Sequence, residues 1–294
     1  MKNKVFIIAM FAFGLLLLCG CTNSLNISTY QYDDADMYTK GGATISDTVE
    51  NLEIDWIAGN VSIETHEDNT VLFSEEANKD LNDTNTMYYY LEDTTLHIKF
   101  CRSGDYTLKN VEKDLTLYIP QELNLNEVEI ESVSANLKFT EISTINLEVD
   151  SVSGNINIKN CEISDEIEVD SVSGAIDIIL DAKIKDIDID SVSGAITITA
   201  STIETADVSA TSGKVIISSD VELTDLKLDT ISGNIKLILN EVSNFTLDFD
   251  SVSGSFSSQL AMITDNDEQI TGSGSGDYDI NTISGSLTIE KANN

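Results

Sequence analysis

Asp170-Ser171-Val172-Ser173-Gly174-Ala175-Ile176-Asp177-Ile178 decides the reading of this chain, because its first five residues keep returning. Asp-Ser-Val-Ser-Gly also stands at 150–154, 190–194 and 250–254, with Thr-Ile-Ser-Gly at 230–233 and 282–285. Looser copies are Ala210-Thr211-Ser212-Gly213 and Ser132-Val133-Ser134-Ala135. The tetrads end at 135, 154, 174, 194, 213, 233, 254 and 285, so every step but the last is 19–21 residues. A fixed period of that length marks a solenoid, in which stacked units bury a core that none could bury alone. Around each tetrad the chain alternates, as in Ile167-Glu168-Val169-Asp170 before it and Ala175-Ile176-Asp177-Ile178 after it. Alternation with period two predicts strands with one face inward. The expected fold is all-β, a single parallel β-solenoid with rungs of about 20 residues.

Aligned on the tetrad, the inward positions form columns. One runs through Ile130, Val149, Val169, Ile189, Val208, Leu228, Phe249 and Ile280; another through Leu137, Ile156, Ile176, Ile196, Val215, Ile235, Phe256 and Leu287. Such β-branched columns suit stacked parallel strands with a buried interior. Counting back from Ile156 in steps of two keeps Val152 in phase but not Val149. The strand is therefore expected to flip between those two, with the tetrad's own Val133, Val152, Val172, Val192, Ile231, Val252 and Ile283 forming a further inward column. The pairs Ser153-Gly154, Ser173-Gly174, Ser193-Gly194, Ser232-Gly233, Ser253-Gly254 and Ser284-Gly285 are read as structural corners. Gly permits a positive φ or a close backbone approach, and the Ser hydroxyl can satisfy turn amides or run a ladder from rung to rung. A nucleophile or phosphate loop is the competing reading, but eight copies of a catalytic serine serve no purpose.

At the start, Lys2 and Lys4 precede an apolar run from Val5 to Leu18 that ends in Leu18-Cys19-Gly20-Cys21. A basic n-region and an apolar stretch of this length read as an export signal. The ending resembles a bacterial lipobox, which would leave Cys21 as the lipid-modified first residue; a lone hydrophobic anchor is the plainer alternative. The expected layout is a signal peptide over 1–20, a lipidated Cys and polar tether over 21–47, irregular β rungs over 48–130, regular repeats over 131–290 and a polar tail over 291–294. About ten rungs at ~4.8 Å each would make a rod on the order of 50 Å long. The 31-residue step between the last two tetrads, holding Thr271-Gly272-Ser273-Gly274-Ser275-Gly276, reads as a widened rung or excursion.

The chain carries 51 acidic residues against 16 basic ones, for a net charge of −35. That excludes nucleic acid and peripheral adsorption on anionic lipid as partners, and fits attraction of cations or basic polymers. With Cys19 lost in the signal peptide and Cys21 assigned to lipid, Cys101 and Cys161 remain; their spacing matches no metal pattern and they read as thiols rather than a disulfide. Tyr88, Tyr89 and Tyr90 with Trp56 could furnish an aromatic platform for glycan, against the plainer reading of core packing.

The lead strand from Trp56 to Ile63, the strand Leu115 to Pro120, the series of Ser-Val-Ser-Gly corners and the Gly-Ser-Gly run feeding Asp279-Ile280-Asn281-Thr282-Ile283-Ser284-Gly285 resemble the bacterial "putative adhesin" family of the DUF4097 type. The likeness extends from about residue 45 to 290. It implies a β-solenoid lipoprotein at the cell surface, linked with adhesion or envelope stress, and supplies no catalytic residues. Ala135 in place of Gly and the loose corner at 209–213 depart from the pattern.

One column could carry chemistry, the acidic one before the corner: Glu131, Asp150, Asp170, Asp190, Asp229 and Asp250, interrupted by Ser209 and ending in Asn281. In register, neighbouring carboxylates would sit ~5 Å apart at a cost of about 0.8 kcal/mol per pair in water. Asp residues capping the turn and staying solvated is the plain reading; a ladder that concentrates Ca²⁺ weakly is the sharper one. No cofactor is expected beyond that weak calcium. A polysaccharide-active β-helix enzyme is a minor alternative, resting on fold analogy alone. His66 and His97 read as surface or packing residues, and Arg102 is the chain's single Arg. The expected function is non-enzymatic: a lipid-anchored module on the bacterial cell membrane, facing outward, that binds a surface polymer or protein. The alternative is an envelope-stress lipoprotein that captures cationic peptides.

Overall fold

β-Branched residues at every second position hold the backbone extended, and the chain winds them into parallel coils stacked in one pile. The computed structural model describes residues 26–27, 29–104, 108–265 and 268–292. The expected signal peptide and Cys21 lie outside the described residues. The solenoid is all-β, as its repeats predict. From Asn124–Thr140 through Val215–Ser232 and Ile235–Leu239, successive coils pair residue for residue: Ile130 with Val149, Val149 with Val169, Val169 with Ile189, Ile189 with Val208. The facing column, Leu137 to Ile156 to Ile176 to Ile196, is equally continuous. All nine of these side chains are buried.

The order of coils in the pile departs from the order in the chain at both ends. Asn51–His66 pairs with Asn124–Thr140, and on its other edge with Thr95–Lys99 and Lys113–Pro120. The first coil in space is therefore the second in sequence. At the far end, Val215–Ser232 pairs with Gly276–Ser284, which in turn pairs with Phe245–Ser251. The 31-residue step is thus a detour: the chain skips one layer, lays down the last coil, and returns to fill the gap. Tyr278 locks the inserted coil, stacking on Phe245 at 4.1 Å and donating its hydroxyl to the Leu223 carbonyl at 2.7 Å.

Exposed strand edges invite further pairing, and the ends are covered accordingly. Val71–Ala77 and Tyr88–Glu92 lie antiparallel on the first coil, and Glu268–Thr271 lies antiparallel on Phe245–Ser251. The stretch expected to be only a tether contributes Thr39–Lys40 and Ala43–Ile45 to the near cap. Beneath that cap Lys113 is fully buried, ion-paired with Glu75 at 2.6 Å and lying over the Phe100 ring. Its carbonyl accepts the Trp56 indole N–H at 2.9 Å, and Trp56 is core rather than platform. Cys101 and Cys161 are both buried and share no disulfide.

One inward column is corrected. Val172, Val192, Ile231, Ile283 and Val252 are 45%, 46%, 51%, 53% and 81% exposed, so the tetrad's aliphatic residue faces outward. The buried column is the residue before it: Ser132, Ser151, Ser171, Ser191, Ala210, Thr230 and Thr282. The parity flips after the tetrad's aliphatic residue, at the Ser-Gly bend, because the glycine absorbs it: Gly154, Gly174 and Gly194 adopt φ of 124°, 132° and 140°. A Cβ on Gly174 would also collide with the Gly154 carbonyl, and one on Gly194 with that of Gly174. Ala135 is accommodated because its φ is not positive.

Two neighbouring substitutions should therefore have opposite outcomes in denaturant unfolding. Gly174→Ala should destabilise by roughly 3 kcal/mol through backbone collision at a left-handed φ. Ser171→Ala, which removes a buried hydroxyl with no hydrogen-bond partner, should be neutral or stabilise by about 1 kcal/mol.

Candidate interaction surface

The strands leading into the corner present every second side chain to solvent, and the register stacks these into parallel columns. In the order of the pile, one column reads Glu131, Asp150, Asp170, Asp190, Ser209, Asp229, Asn281, Asp250. The next reads Glu129, Glu148, Glu168, Asp188, Asp207, Lys227, Asp279, Asp248. A third holds Glu127, Glu166, Asp186, Asp225 and Asp277 among neutral residues. The predicted ladder is one row of a two-dimensional carboxylate lattice, about 4.8 Å between coils and about 7 Å along each strand. Its one lysine, Lys227, is tied to Asp207 at 2.8 Å and Asp229 at 3.7 Å. Asn281, from the inserted coil, separates Asp229 from Asp250.

The strands leaving the corner carry a different surface. Their outward residues include Lys138, Lys159, Thr197, Thr199, Ile216, Lys236 and Thr288, with Asp177 and Glu290 paired to Lys159 and Lys236. Charge is segregated onto one face.

Crowding shows in the proton affinities. Partial burial, with Glu148, Asp170 and their neighbours adding repulsion, raises Glu129, Asp150 and Glu168 to about 7. Burial first, then Asp190 and Asp207, raises Asp188 to about 6. Glu131, Glu148, Asp170 and Asp186 are raised for the same reasons. Among the described residues no three carboxylate, His or Cys side chains converge to hold a metal ion.

The corner serines sit beside this face. Ser153 donates to the Val133 carbonyl at 3.1 Å, Ser173 to Val152 at 3.3 Å, Ser193 to Val172 at 3.3 Å and Ser212 to Val192 at 3.4 Å. Each hydroxyl thus bonds the coil beneath. Ser232-Gly233, Ser284-Gly285 and Ser253-Gly254 continue the stack in that spatial order.

At the near end the face closes in a cavity of about 260 Å³. Glu53, in register with Glu129, forms its floor with His97 and Lys99. His97 Nδ1 lies 2.9 Å from Glu53 Oε2, and Lys99 Nζ lies 3.0 Å from Glu53 and 2.7 Å from Asp55. Burial alone would raise Glu53, but Lys99 and His97 bring it below its usual value; Asp55, more deeply buried, stays raised. Tyr32, Tyr38 and Tyr90 wall the cavity, Tyr38 packing edge-on to His97. His97 therefore belongs to the floor of this cavity, a role the sequence signalled only through its alternation with Leu96 and Ile98. His66 instead caps a turn against the Thr70 carbonyl at 2.6 Å.

The profile of the family described as Toastrack DUF4097 matches residues 49–290. The chain belongs to this family. The match takes in every coil of the pile, the first and the last included. No curated protein matches the chain. Among solved structures, a "putative adhesin" from Bacteroides fragilis NCTC 9343 is similar at 13% identity, covering 86% of this chain and 96% of its own, with a TM-score of 0.49. A "putative adhesin" from Parabacteroides distasonis ATCC 8503 is similar at 15% identity, with coverages of 86% and 96% and a TM-score of 0.42. Among the described residues no helix is long and apolar enough to cross a membrane.

The raised carboxylates set a direction for stability. Folded, they hold protons that the unfolded chain releases near pH 4, so their contribution is full below that pH and is lost as pH rises through about 7. Melting at pH 5 should exceed melting at pH 8 by on the order of 5 °C at low salt. The gap should shrink at high salt as repulsion is screened; differential scanning calorimetry in two buffers of matched ionic strength checks it.

Proposed function

We propose that this chain is a non-enzymatic binding module, tethered to the bacterial membrane by lipid on Cys21, whose acidic face takes up cationic polymers: basic peptides or basic proteins of the cell surface. The observation that carries this reading is the segregation of charge onto one flat, rigid face. A net-acidic protein needs only solvated charge to stay soluble. Carboxylates stacked coil on coil with no cation between them instead maintain a strong local potential, which attracts and orients counter-charged partners.

Catalysis receives less support from the same geometry. A polysaccharide-active site needs a cationic group free to neutralise a sugar carboxylate, and Lys227 and Lys99 are both engaged by two carboxylates. Calcium fits as an atmosphere over the lattice rather than as a bound cofactor. Adhesion to a surface polymer is the same reading at larger scale, since a rod on a lipid anchor presents its whole acidic side to what approaches.

Two measurements test the halves of the proposal. Labelled oligolysine should bind the full-length protein at low salt, lose affinity steeply with added salt, and bind about tenfold more weakly to Asp150→Asn/Glu168→Gln/Asp188→Asn. Absence of binding at low salt, or indifference to the triple change, rules out the acidic face. For the anchor, radiolabelled fatty acid should enter the parent and not Cys21→Ser; equal labelling of both removes the lipid from the account.

A further inference from the structure

The outward-facing Val and Ile residues of the corners call for an explanation that the core does not supply. In the order of the pile they run Val172, Val192, Thr211, Ile231, Ile283, Val252, one per coil, and the five aliphatic ones are exposed. At about 4.8 Å per coil they make a ridge on the order of 24 Å long, interrupted once by Thr211. Scattered exposed aliphatics are ordinary on a protein surface; five aligned at one register position mark a contact. Turn chemistry does not demand it, since Thr211 occupies the same position in a corner that stacks as well as the others.

The ridge has one neighbour of decisive character. Two residues before each aliphatic side chain, on the same side of the strand, stands the acidic column: Asp170, Asp190, Ser209, Asp229, Asn281, Asp250. Beyond it lies the second acidic column. The strip is therefore amphipathic across its width, aliphatic along one border and anionic beside it. A second copy of this chain would bring like charge against like at −35 each, and anionic lipid would be repelled for the same reason.

We infer that the ridge and the acidic column beside it form a docking strip for an amphipathic cationic helix lying along the solenoid axis. The inference rests on the reading of the acidic face as a cation-binding surface and adds the ligand's second requirement, an apolar stripe. The repeats match: a helix advances 5.4 Å per turn and the coils about 4.8 Å, so over four coils they drift by only ~2.4 Å. Apolar residues at i, i+3, i+4 and i+7 would ride the ridge while lysines or arginines on the adjoining flank reach the carboxylates.

The test uses the full-length protein and three fluorescein-labelled probes. One is a leucine–lysine peptide of about 18 residues with leucines at helical spacing; one has the same composition shuffled; one is oligolysine of equal charge. Anisotropy should show the helical probe binding more tightly than the other two. Val172→Ser/Val192→Ser/Ile231→Ser should lower its affinity about tenfold while leaving oligolysine binding unchanged. Should the triple variant not fold, Val172→Thr/Val192→Thr keeps the branching at Cβ and should lower affinity about threefold. Equal binding of helical and shuffled probes, or unchanged affinity in the variants, overturns the docking strip and leaves the acidic face standing. Failure of oligolysine to bind the parent at low salt removes both.

Discussion

Everything in this molecule follows from the backbone of one coil passing directly over the backbone of the next at the serine–glycine corner. The Gly174 and Gly194 Cα positions face the carbonyl of the glycine below with no room for a Cβ, so the pile can neither slip nor lengthen its rise there. Pinned at that point, each strand pairs residue for residue with its neighbour. Like therefore stacks on like. Inside, this yields columns of Ile and Val whose branched side chains interlock. Outside, the same constraint piles carboxylate on carboxylate, and repulsion is the consequence of a register the core requires.

The columns were legible because strand alternation and a 19–21-residue period are both local properties that survive without a structure. The corner was legible only in part. Counting in twos from Ile156 carries Val152 into the interior as long as each residue advances the phase by half a turn. A glycine at φ near 130° breaks that rule within the bend itself, so the flip falls between Ser153 and Ile156 and not before Val152. Ser151, Ser171 and Ser191 are buried there because the corner has room only for a small side chain, even where the hydroxyl finds no partner. Ala210 and Thr230 in the same column satisfy that demand with different chemistry.

The ends were not legible, because which coil lies next to which is a long-range property. The 31-residue step and its run of glycines announced a detour without saying that the returning strand would slip between two earlier ones. Asn281 is the one residue that hints at it: the sole amide in the predicted column sits where it separates Asp229 from Asp250. The near end hid more. Lys113 alternates with Leu115 and Leu117 as an inward residue would, yet a buried ammonium needs a partner that no local pattern names. Glu75, from the strand that caps the first coil, supplies it. Burial lowers the Lys113 proton affinity and the Glu75 carboxylate works against that loss. A pair of this kind contributes little net stability, but removing one member would leave the other stranded, which ties the cap to the pile.

The acidic face and the ends meet in a single electrostatic account. At the near end Lys99 neutralises Glu53 and Asp55, with His97 beside Glu53; further along, Lys227 and Asn281 dilute the lattice. Between them, from Glu129 to Asp188, no cation interrupts the columns, and there the proton affinities rise. Near neutral pH Glu129, Asp150 and Glu168, raised to about 7 by burial first and by their acidic neighbours second, have part of their charge withheld by a bound proton. An arriving cation lowers the local potential and releases those protons, so the charge available to it grows as it binds. The enforced register, by setting these carboxylates side by side, thus couples their protonation to any charge that approaches them.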